Sequence, residues 1–295
     1  MPKETAIQRR RRQAATTGVT SFRSDFNYMC RRHSNRIGIV TEGDSWFDYP
    51  RRWLLFGPDI NVVHHIEAKI IGTDKVNLLR MASNGDRAEQ MMSGSQKKVF
   101  ETMLRRNSKY INLILFSGGG NDIVGKRNLP PLLNEYQTGF TAHQCIKQDA
   151  FEKKLNKIFE AYATLMALRS LYVPHAKVVT HCYDIAAPSE AGARFLWGLI
   201  DTKSWIYPFL VEKSIPEDLH IPIVKILLGR FRERLIAFTQ LPKYLEQIYM
   251  VDTQGLLRPG NRDDWLNEIH PTESGFKTIA TPIYDKMKDL YPDLP

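Results

Sequence analysis

The sequence predicts an α/β protein with a doubly wound, mostly parallel sheet and helices on both of its faces. Two observations predict this class: short apolar runs recur along the chain, and longer stretches of helical periodicity lie between them. Apolar strands without polar alternation are typical of a parallel sheet that is buried on both faces, because helices connect its strands. We therefore expect one domain built around a single sheet.

Four apolar runs indicate buried strands, since each is short and ends at a turn signal. They are residues 36–40 (RIGIV), 110–120 (YINLILFSGGG), 176–184 (AKVVTHCYD) and 247–255 (QIYMVDTQG). Residues 61–70 (NVVHHIEAKI) fit a fifth strand and the start of a helix equally well.

Two helices follow from the periodicity. Apolar side chains recur every three or four positions over residues 149–172, and lysines occupy the opposite face of that helix. A second helix is predicted from residue 273 almost to the C-terminus, where Pro282 is expected to kink or interrupt it.

The chain divides into a basic arm and a domain. The domain is predicted over residues 37–295, with insertions at about 125–148 and 186–242, and the many apolar side chains of the second insertion indicate a helical, apolar cap. Residues 1–36 hold nine Lys and Arg against two acidic side chains, within a formal net charge of +9. We expect a solvated, poorly ordered tail, with contact to an anionic membrane surface as the functional alternative. No aromatic residues lie between its arginines, so nucleic acid is not an expected partner.

Composition argues against several classes of protein. Residues 195–228 form the most apolar region, but charged residues and prolines interrupt it, so no membrane-spanning helix is predicted. No apolar stretch follows the arginines at 9–12, so no conventional secretory signal is visible and we expect a cytoplasmic protein. Cys30, Cys145 and Cys182 lie far apart, which indicates buried free thiols and neither a disulfide framework nor a zinc site.

Polar residues follow two of the predicted strands. The turn after residues 36–40 supplies Asp44 and Ser45, and the glycine-rich turn after the second strand supplies Asn121 and Asp122. In an open parallel sheet, ligands bind outside the carboxyl ends of the strands, so these turns should meet at one edge. Taken alone, Gly-Asp-Ser is typical of an ordinary turn, and Asn-Asp of a capped helix start.

Four short motifs together are more informative than any one of them. EGDSW at 42–46, SNGD at 83–86, GGND at 119–122 and NEIHP at 267–271 occur in this order. They resemble the motifs of the SGNH (GDSL) hydrolases over about residues 37–290. The resemblance implies the flavodoxin-like fold of those enzymes and hydrolysis of carboxylic esters through a covalent acyl-enzyme. It also implies that neither a metal nor an organic cofactor takes part.

The resemblance also assigns roles to individual residues. Ser45 is the implied nucleophile and His270 its base, since a serine hydroxyl needs a neighbouring base and histidine titrates near neutral pH. The implied oxyanion hole consists of the backbone N–H groups of Ser45 and Gly85 and the side-chain amide of Asn121. His181 follows a predicted strand, and we interpret it as lining the pocket.

One position departs from the family pattern. An aspartate is usual three residues before the histidine, whereas this sequence has Asn267. Asparagine can accept a hydrogen bond from the imidazole, but it adds no charge and can select the wrong tautomer. Either the serine and histidine act as a dyad, or another acid orients the ring. The candidates for that acid are Asp264 first, then Asp263, then Glu268.

The expected substrate is a small-molecule or lipid ester. The apolar cap favours a hydrophobic acyl group, because each buried methylene adds about 0.8 kcal/mol of binding, and an acetyl ester on a sugar is the alternative. Two other functions stay open. Asn267 is compatible with a binding or scaffolding protein that keeps the fold without turnover, and the basic arm with a module that docks on anionic surfaces. The sequence predicts no oligomeric state.

Overall fold

The computed structural model describes residues 4–49, 60–190, 194–195, 200–201 and 204–295. Within these ranges the strands are β1 (Val19–Thr20), β2 (Ile37–Gly43), β3 (Val76–Arg80), β4 (Ile111–Ser117), β5 (Lys177–His181), β6 (Arg194–Phe195), β7 (Ile200–Asp201) and β8 (Ile248–Val251). The helices are α1 (Ala6–Thr17), α2 (Arg23–Arg32), α3 (Val62–Ile70), α4 (Ala88–Met91), α5 (Gly94–Arg106), α6 (Gly120–Val124), α7 (Gln148–Tyr172), α8 (Tyr207–Glu212), α9 (His220–Thr239) and α10 (Glu273–Leu290).

Six of the described strands form one parallel sheet in the order β1-β3-β2-β4-β5-β8. Without the short edge strand β1, the order is that of the flavodoxin-like doubly wound fold. The chain leaves β2 toward one side to form β3 and crosses to the other side to form β4. The fold class predicted from the sequence is thus confirmed, and the switch point, where such folds bind ligands, lies between β2 and β4.

The central strands are buried along almost their whole length, which explains their unbroken apolar character. Ile39, Val40 and Leu113 are among the fully buried residues of the core. At the end of β2, a Cβ on Gly43 would lie 2.8 Å from the Cβ of Ser117 on β4. Glycine at this position therefore allows the turns after β2 and β4 to lie side by side.

The predicted helices are confirmed, with α7 and α10 beginning within one residue of the expected positions. Pro282 lies inside α10 and does not end it. Residues 62–70, left open between strand and helix, form α3, whose first turn is capped by the side chain of Asn61 bonded to the backbone N–H of His64 at 2.9 Å. The helix α3 packs against α10.

The basic N-terminal segment differs from the poorly ordered tail that its composition predicts. Two helices flank β1, and Val19 pairs with Leu78 in the main sheet. On α2, Phe26, Met29 and Cys30 share one helix face and are fully buried. The segment also contains an internal ion pair, in which the Arg10 side chain binds the buried carboxylate of Asp25 at 2.5 Å. The division of the chain at residue 36 stays a prediction.

The second insertion contains the antiparallel pair of β6 and β7, followed by α8 and α9. Leu196 and Trp197, which we expected in the cap, lie outside the described residues, whereas Ile206 and Leu210 are fully buried. The first insertion contains a short 3-10 turn at Pro130–Leu132. Among the described residues no helix combines the length and apolar character that a membrane span requires. All three cysteines are buried and free, as predicted.

Candidate active site

The turn after β2 presents Ser45 at the switch point of the sheet. Backbone N–H groups of Phe47 and Asp48 both donate to the Asp44 carbonyl at 3.0 Å, which closes a tight turn around the serine. The Asp44 carboxylate accepts the Trp46 N–H at 3.0 Å and so fixes the same turn from inside. The serine is thus held on a rigid turn directly beside the end of β4.

His270 reaches this turn from the loop that precedes α10. Its Nε2 lies 2.8 Å from the Ser45 Oγ, although the two residues are separated by almost the whole domain in sequence. The indole N–H of Trp46 also donates to the Ile269 carbonyl at 3.2 Å, which ties the two loops together. The structure thereby brings together the serine and histidine that the sequence analysis paired.

Asn267 determines which nitrogen of His270 carries the proton. Its Oδ1 accepts the backbone N–H groups of Ile269 at 3.2 Å and His270 at 3.0 Å, and its Nδ2 contacts the hydroxyl of Tyr49 at 2.9 Å. These contacts fix the orientation of the amide, so the His270 Nδ1, 3.0 Å from Oδ1, must be the protonated nitrogen. The Nε2 lone pair is left to accept the Ser45 hydroxyl. The concern that asparagine selects the wrong tautomer does not apply to this geometry.

The electrostatic environment keeps the imidazole neutral. His270 is 3% exposed, and its burial lowers its pKa to about 3. The rings of Tyr49 and Trp205 lie against it, with centroids at 4.1 and 5.3 Å from the imidazole. A neutral imidazole with a free Nε2 is the form that a general base requires.

The His270 Nδ1 is bonded to Asn267 and to none of the three acids that we considered as partners of the ring. Asp264 binds the Arg258 guanidinium at 2.9 Å, which lowers the pKa of its carboxyl group, and it also accepts the Arg258 backbone N–H. Asp263 is exposed. The expectation that Asp264 orients His270 is therefore not met, because the Nδ1 is bonded to Asn267.

Glu268 performs a different task on the same loop. Its buried carboxylate accepts four backbone N–H groups, two of them Ile206 at 2.8 Å and Tyr207 at 2.7 Å, and the others Ser189 and Trp205. Burial nevertheless raises the pKa of this carboxyl group. One side chain thus fastens the start of α8 and the chain near Ser189 to the loop that carries His270.

Asn121, in the first turn of α6, and Gly85, in the turn before α4, lie close to the turn of Ser45. The Asn121 Nδ2 donates to the Asp86 carbonyl at 3.0 Å, and Asn121 and Ser45 line one cavity. Gly85 has φ +86° with open space where a side chain would stand, so its backbone is accessible. The Asp122 carboxylate accepts the Ala88 N–H at 2.7 Å and so joins the starts of α6 and α4. The arrangement can present donors to an oxygen anion bound at Ser45.

Besides the network of Ser45, His270 and Asn267, the structure contains a second buried network. It consists of Ser117, His181, Asp44 and Tyr183. The Ser117 Oγ is 2.9 Å from both the His181 Nε2 and the Asp44 Oδ1. The composition is that of a catalytic triad, but the acid contacts the serine and not the histidine. The Tyr183 hydroxyl donates to Asp44 at 2.5 Å, and its backbone N–H lies 3.3 Å from the His181 Nδ1.

These contacts assign the protons of the second network. The Nδ1 of His181 accepts from a backbone N–H, so its Nε2 carries the hydrogen and donates to Ser117, whose own hydroxyl donates to Asp44. His181 therefore has no lone pair with which to take a proton from Ser117. His181 is fully buried and, contrary to our interpretation, does not line the cavity at Ser45, whereas Tyr183 does.

Sequence reasoning missed Tyr183 and Tyr49, and it named Glu268 only as a candidate acid for His270 and not for the backbone contacts that it makes. Tyr183 follows β5, at the same sheet edge as Ser45, and this position is the one signal that could have indicated it. The contacts of Tyr49 and Glu268 join segments more than 60 residues apart, and no local pattern marks such pairs.

No protein-family model and no curated protein matches the sequence. Solved structures match over most of the chain. A lipase from a goat rumen metagenome has a TM-score of 0.52 at 15% identity, covering 86% of this chain and 97% of its own. An extracellular lipase from Streptomyces rimosus has a TM-score of 0.49 at 14% identity, with 85% and 99% covered. A family 3 carbohydrate esterase from Talaromyces cellulolyticus has a TM-score of 0.47 at 14% identity, with 88% and 100% covered.

The match to the goat rumen lipase, with a TM-score of 0.52, defines the class of fold. The structural neighbours are SGNH hydrolases, and this chain has the SGNH-hydrolase fold. The resemblance that the four motifs predicted is thus confirmed for the architecture. At these sequence identities the likeness establishes the fold alone.

Proposed function

We propose that the protein is a serine esterase in which Ser45 is the nucleophile and His270 the general base. The observation that carries the proposal is the 2.8 Å contact between the Ser45 Oγ and the His270 Nε2, with the protonated Nδ1 held by Asn267. A serine with a correctly oriented neutral imidazole is an activated nucleophile. The substrate class is a carboxylic ester.

The reaction follows from these contacts. The Ser45 oxygen attacks the ester carbonyl carbon while its proton passes to the His270 Nε2. The carbonyl oxygen, now an anion, accepts hydrogen bonds from the backbone N–H groups of Ser45 and Gly85 and from the Asn121 amide. The imidazolium then gives its proton to the departing alcohol oxygen, which leaves an acyl group on Ser45. Water, deprotonated by His270, releases the acid and restores the serine.

Asn267 makes this site weaker than one with an aspartate. It holds the productive tautomer but does not neutralise the positive charge that His270 acquires in the transition state. The same residue supports the alternative function, a binding protein that keeps the fold without turnover. The contact between Ser45 and His270 favours catalysis, because a binding site has no need of an oriented base.

The test is hydrolysis of p-nitrophenyl acetate by the full chain, compared with the variants Ser45→Ala, His270→Ala and Ser117→Ala. Each variant is first shown to be folded by its thermal unfolding curve. We expect Ser45→Ala and His270→Ala to lose about 1,000-fold or more in kcat/KM, while Ser117→Ala keeps at least a tenth of the activity. A wild-type protein without turnover, or a Ser45→Ala variant with full turnover, would exclude the proposal.

A further inference from the structure

We propose that the enzyme is selective for short acyl groups, acetyl and propionyl, because a small, mostly apolar cavity beside Ser45 receives the acyl chain. The inference rests on the proposed esterase function and specifies its substrate class. It differs from the hydrophobic acyl group that the apolar composition of the cap favours.

The cavity is small and mostly apolar. It measures about 30 Å³, and a site needs on the order of 10–15 Å³ to hold one water-sized group. There is thus room for about two heavy atoms beyond the reacting carbon. The aliphatic side chains around it are Val124, Ala186, Ile206, Leu228 and Ile269.

The position of the cavity assigns it to the acyl group and not to the alcohol. The departing oxygen takes its proton from the His270 Nε2, so the alcohol lies on the histidine side of Ser45. His270 does not line the cavity, whereas Ser45 and Asn121 do. The substituent of the carbonyl carbon therefore enters the cavity on the Asn121 side.

The walls of the cavity have little freedom to move apart. Ile206 is fully buried, and its backbone N–H is held by Glu268 at 2.8 Å. Leu228 is 4% exposed, and its carbonyl accepts a hydrogen bond from the Gln254 Nε2 at 2.9 Å. On another wall, a Cβ on Gly120 would stand 2.9 Å from the Tyr183 ring, so Gly120 and Tyr183 are already in close contact. An acyl chain that extends further between these walls must displace packed groups, which close-packed interiors resist.

The experiment measures kcat/KM of the full chain for p-nitrophenyl acetate, propionate, butyrate, hexanoate and octanoate. We expect at least a ten-fold fall between propionate and hexanoate. In Leu228→Ala the cavity is enlarged, and we expect hexanoate hydrolysis to rise at least five-fold relative to acetate. If Leu228→Ala does not fold, Val124→Ala provides the test, because it is a milder change on another wall of the cavity. It should shift the chain-length profile in the same direction.

Leu227→Ala is the matched control, because Leu227 is a fully buried neighbour on α9 that does not line the cavity. It should leave the chain-length profile unchanged. A wild-type protein that hydrolyses octanoate as well as acetate would overturn the inference and leave the esterase proposal intact. An unchanged profile in both enlarged variants would also overturn it. No turnover with any ester would overturn both proposals.

Discussion

At residue 267 the chain carries an amide where the family pattern leads one to expect a carboxylate. The oxygen of that amide is fixed by the backbone N–H groups of Ile269 and His270, so it can face only the protonated Nδ1 of the imidazole. Orientation and charge, which an aspartate supplies together, are therefore separated in this site. Only the charge is missing.

Asn267→Asp should restore the missing charge. The carboxylate would keep the backbone contacts and the Nδ1 contact, raise the pKa of His270 and stabilise the imidazolium. We expect kcat to rise by about ten-fold, on the reasoning that part of the cost seen for the reverse change in serine proteases is electrostatic. Steady-state kinetics from pH 5 to pH 9 measure it. A variant slower than wild type at every pH would contradict this interpretation of Asn267.

Glu42, on β2 just before the serine turn, is a second buried group with a stability consequence. It is 7% exposed, and burial, with a smaller contribution from Asp86, raises its pKa from 4.5 to about 8. Between pH 4.5 and 8 the folded protein therefore holds a proton that the unfolded chain has released. The contribution of Glu42 to stability falls as pH rises through this window.

Glu42→Gln removes that dependence. We expect the variant to match wild type near pH 5 and to exceed its free energy of unfolding by about 4 kcal/mol at pH 8.5, which is what a rise in pKa from 4.5 to about 8 implies. Urea unfolding at the two pH values measures the difference. The exposed Glu160→Gln serves as the control. Equal stabilities of wild type and Glu42→Gln at pH 8.5 would show that Glu42 titrates normally.

At the scale of elements, one carboxylate joins the loop of His270 to the start of α8. Glu268 accepts the backbone N–H groups of Trp205, Ile206 and Tyr207, and the Trp205 ring lies against His270. Buried N–H groups without partners destabilise the fold, so this loop and the start of α8 are coupled through Glu268.

Glu268→Gln tests that coupling. A glutamine has one acceptor oxygen, and its NH2 group would face backbone donors, so at least one N–H loses its partner. We expect a loss of about 1–3 kcal/mol in the free energy of unfolding, with a fall in kcat as Trp205 shifts against His270. Urea unfolding and kinetics on the same sample measure both. Surface substitutions usually change stability by less than about 0.5 kcal/mol. A Glu268→Gln variant that stays within this range of wild type would contradict the coupling role assigned to Glu268.

The elements could be predicted from the sequence to different degrees. Four of the six strands of the main sheet were identified because each is a continuous apolar run beside a turn signal. The other two were missed: β1 has only two residues, and β3 contains Asn77 and Arg80 within five residues. The apolar face of α2 was not recognised, because arginines flank it in sequence. The basic composition of the segment indicated a poorly ordered tail instead.

The residues of the candidate site divide in the same way. Ser45, Gly85, Asn121 and His270 stand in short motifs and could be named in advance. Their positioning partners could not, because the rotamer of Asn267 and the carboxylate of Glu268 depend on groups that only the folded chain brings near. Proximity along the chain also misdirected the choice of acid, since Asp264 is paired with Arg258.

At the scale of the whole molecule, the N-terminal segment is part of the fold. Phe26, Met29 and Cys30 are fully buried, and β1 extends the sheet beyond β3. We therefore expect removal of residues 1–36 to lower the free energy of unfolding by more than about 3 kcal/mol, since each large apolar side chain contributes about 1.5–3 kcal/mol on burial. Thermal and urea unfolding measure the effect.

The control for this truncation neutralises charge without removing packing. Arg9→Gln combined with Arg31→Gln changes two exposed side chains and should leave the unfolding curve within 0.5 kcal/mol of wild type. If the truncated protein unfolded at the wild-type temperature, the segment would be an appendage, as its composition first suggested.

The two serine–histidine pairs of this molecule make one measurement decisive. A fluorophosphonate reacts covalently with an activated serine, and peptide mapping by mass spectrometry identifies which serine carries the label. The geometry predicts stoichiometric labelling of Ser45 in the full chain and none in His270→Ala. Labelling of Ser117 instead, or of no serine, would contradict the assignment of Ser45 and His270 as the catalytic pair.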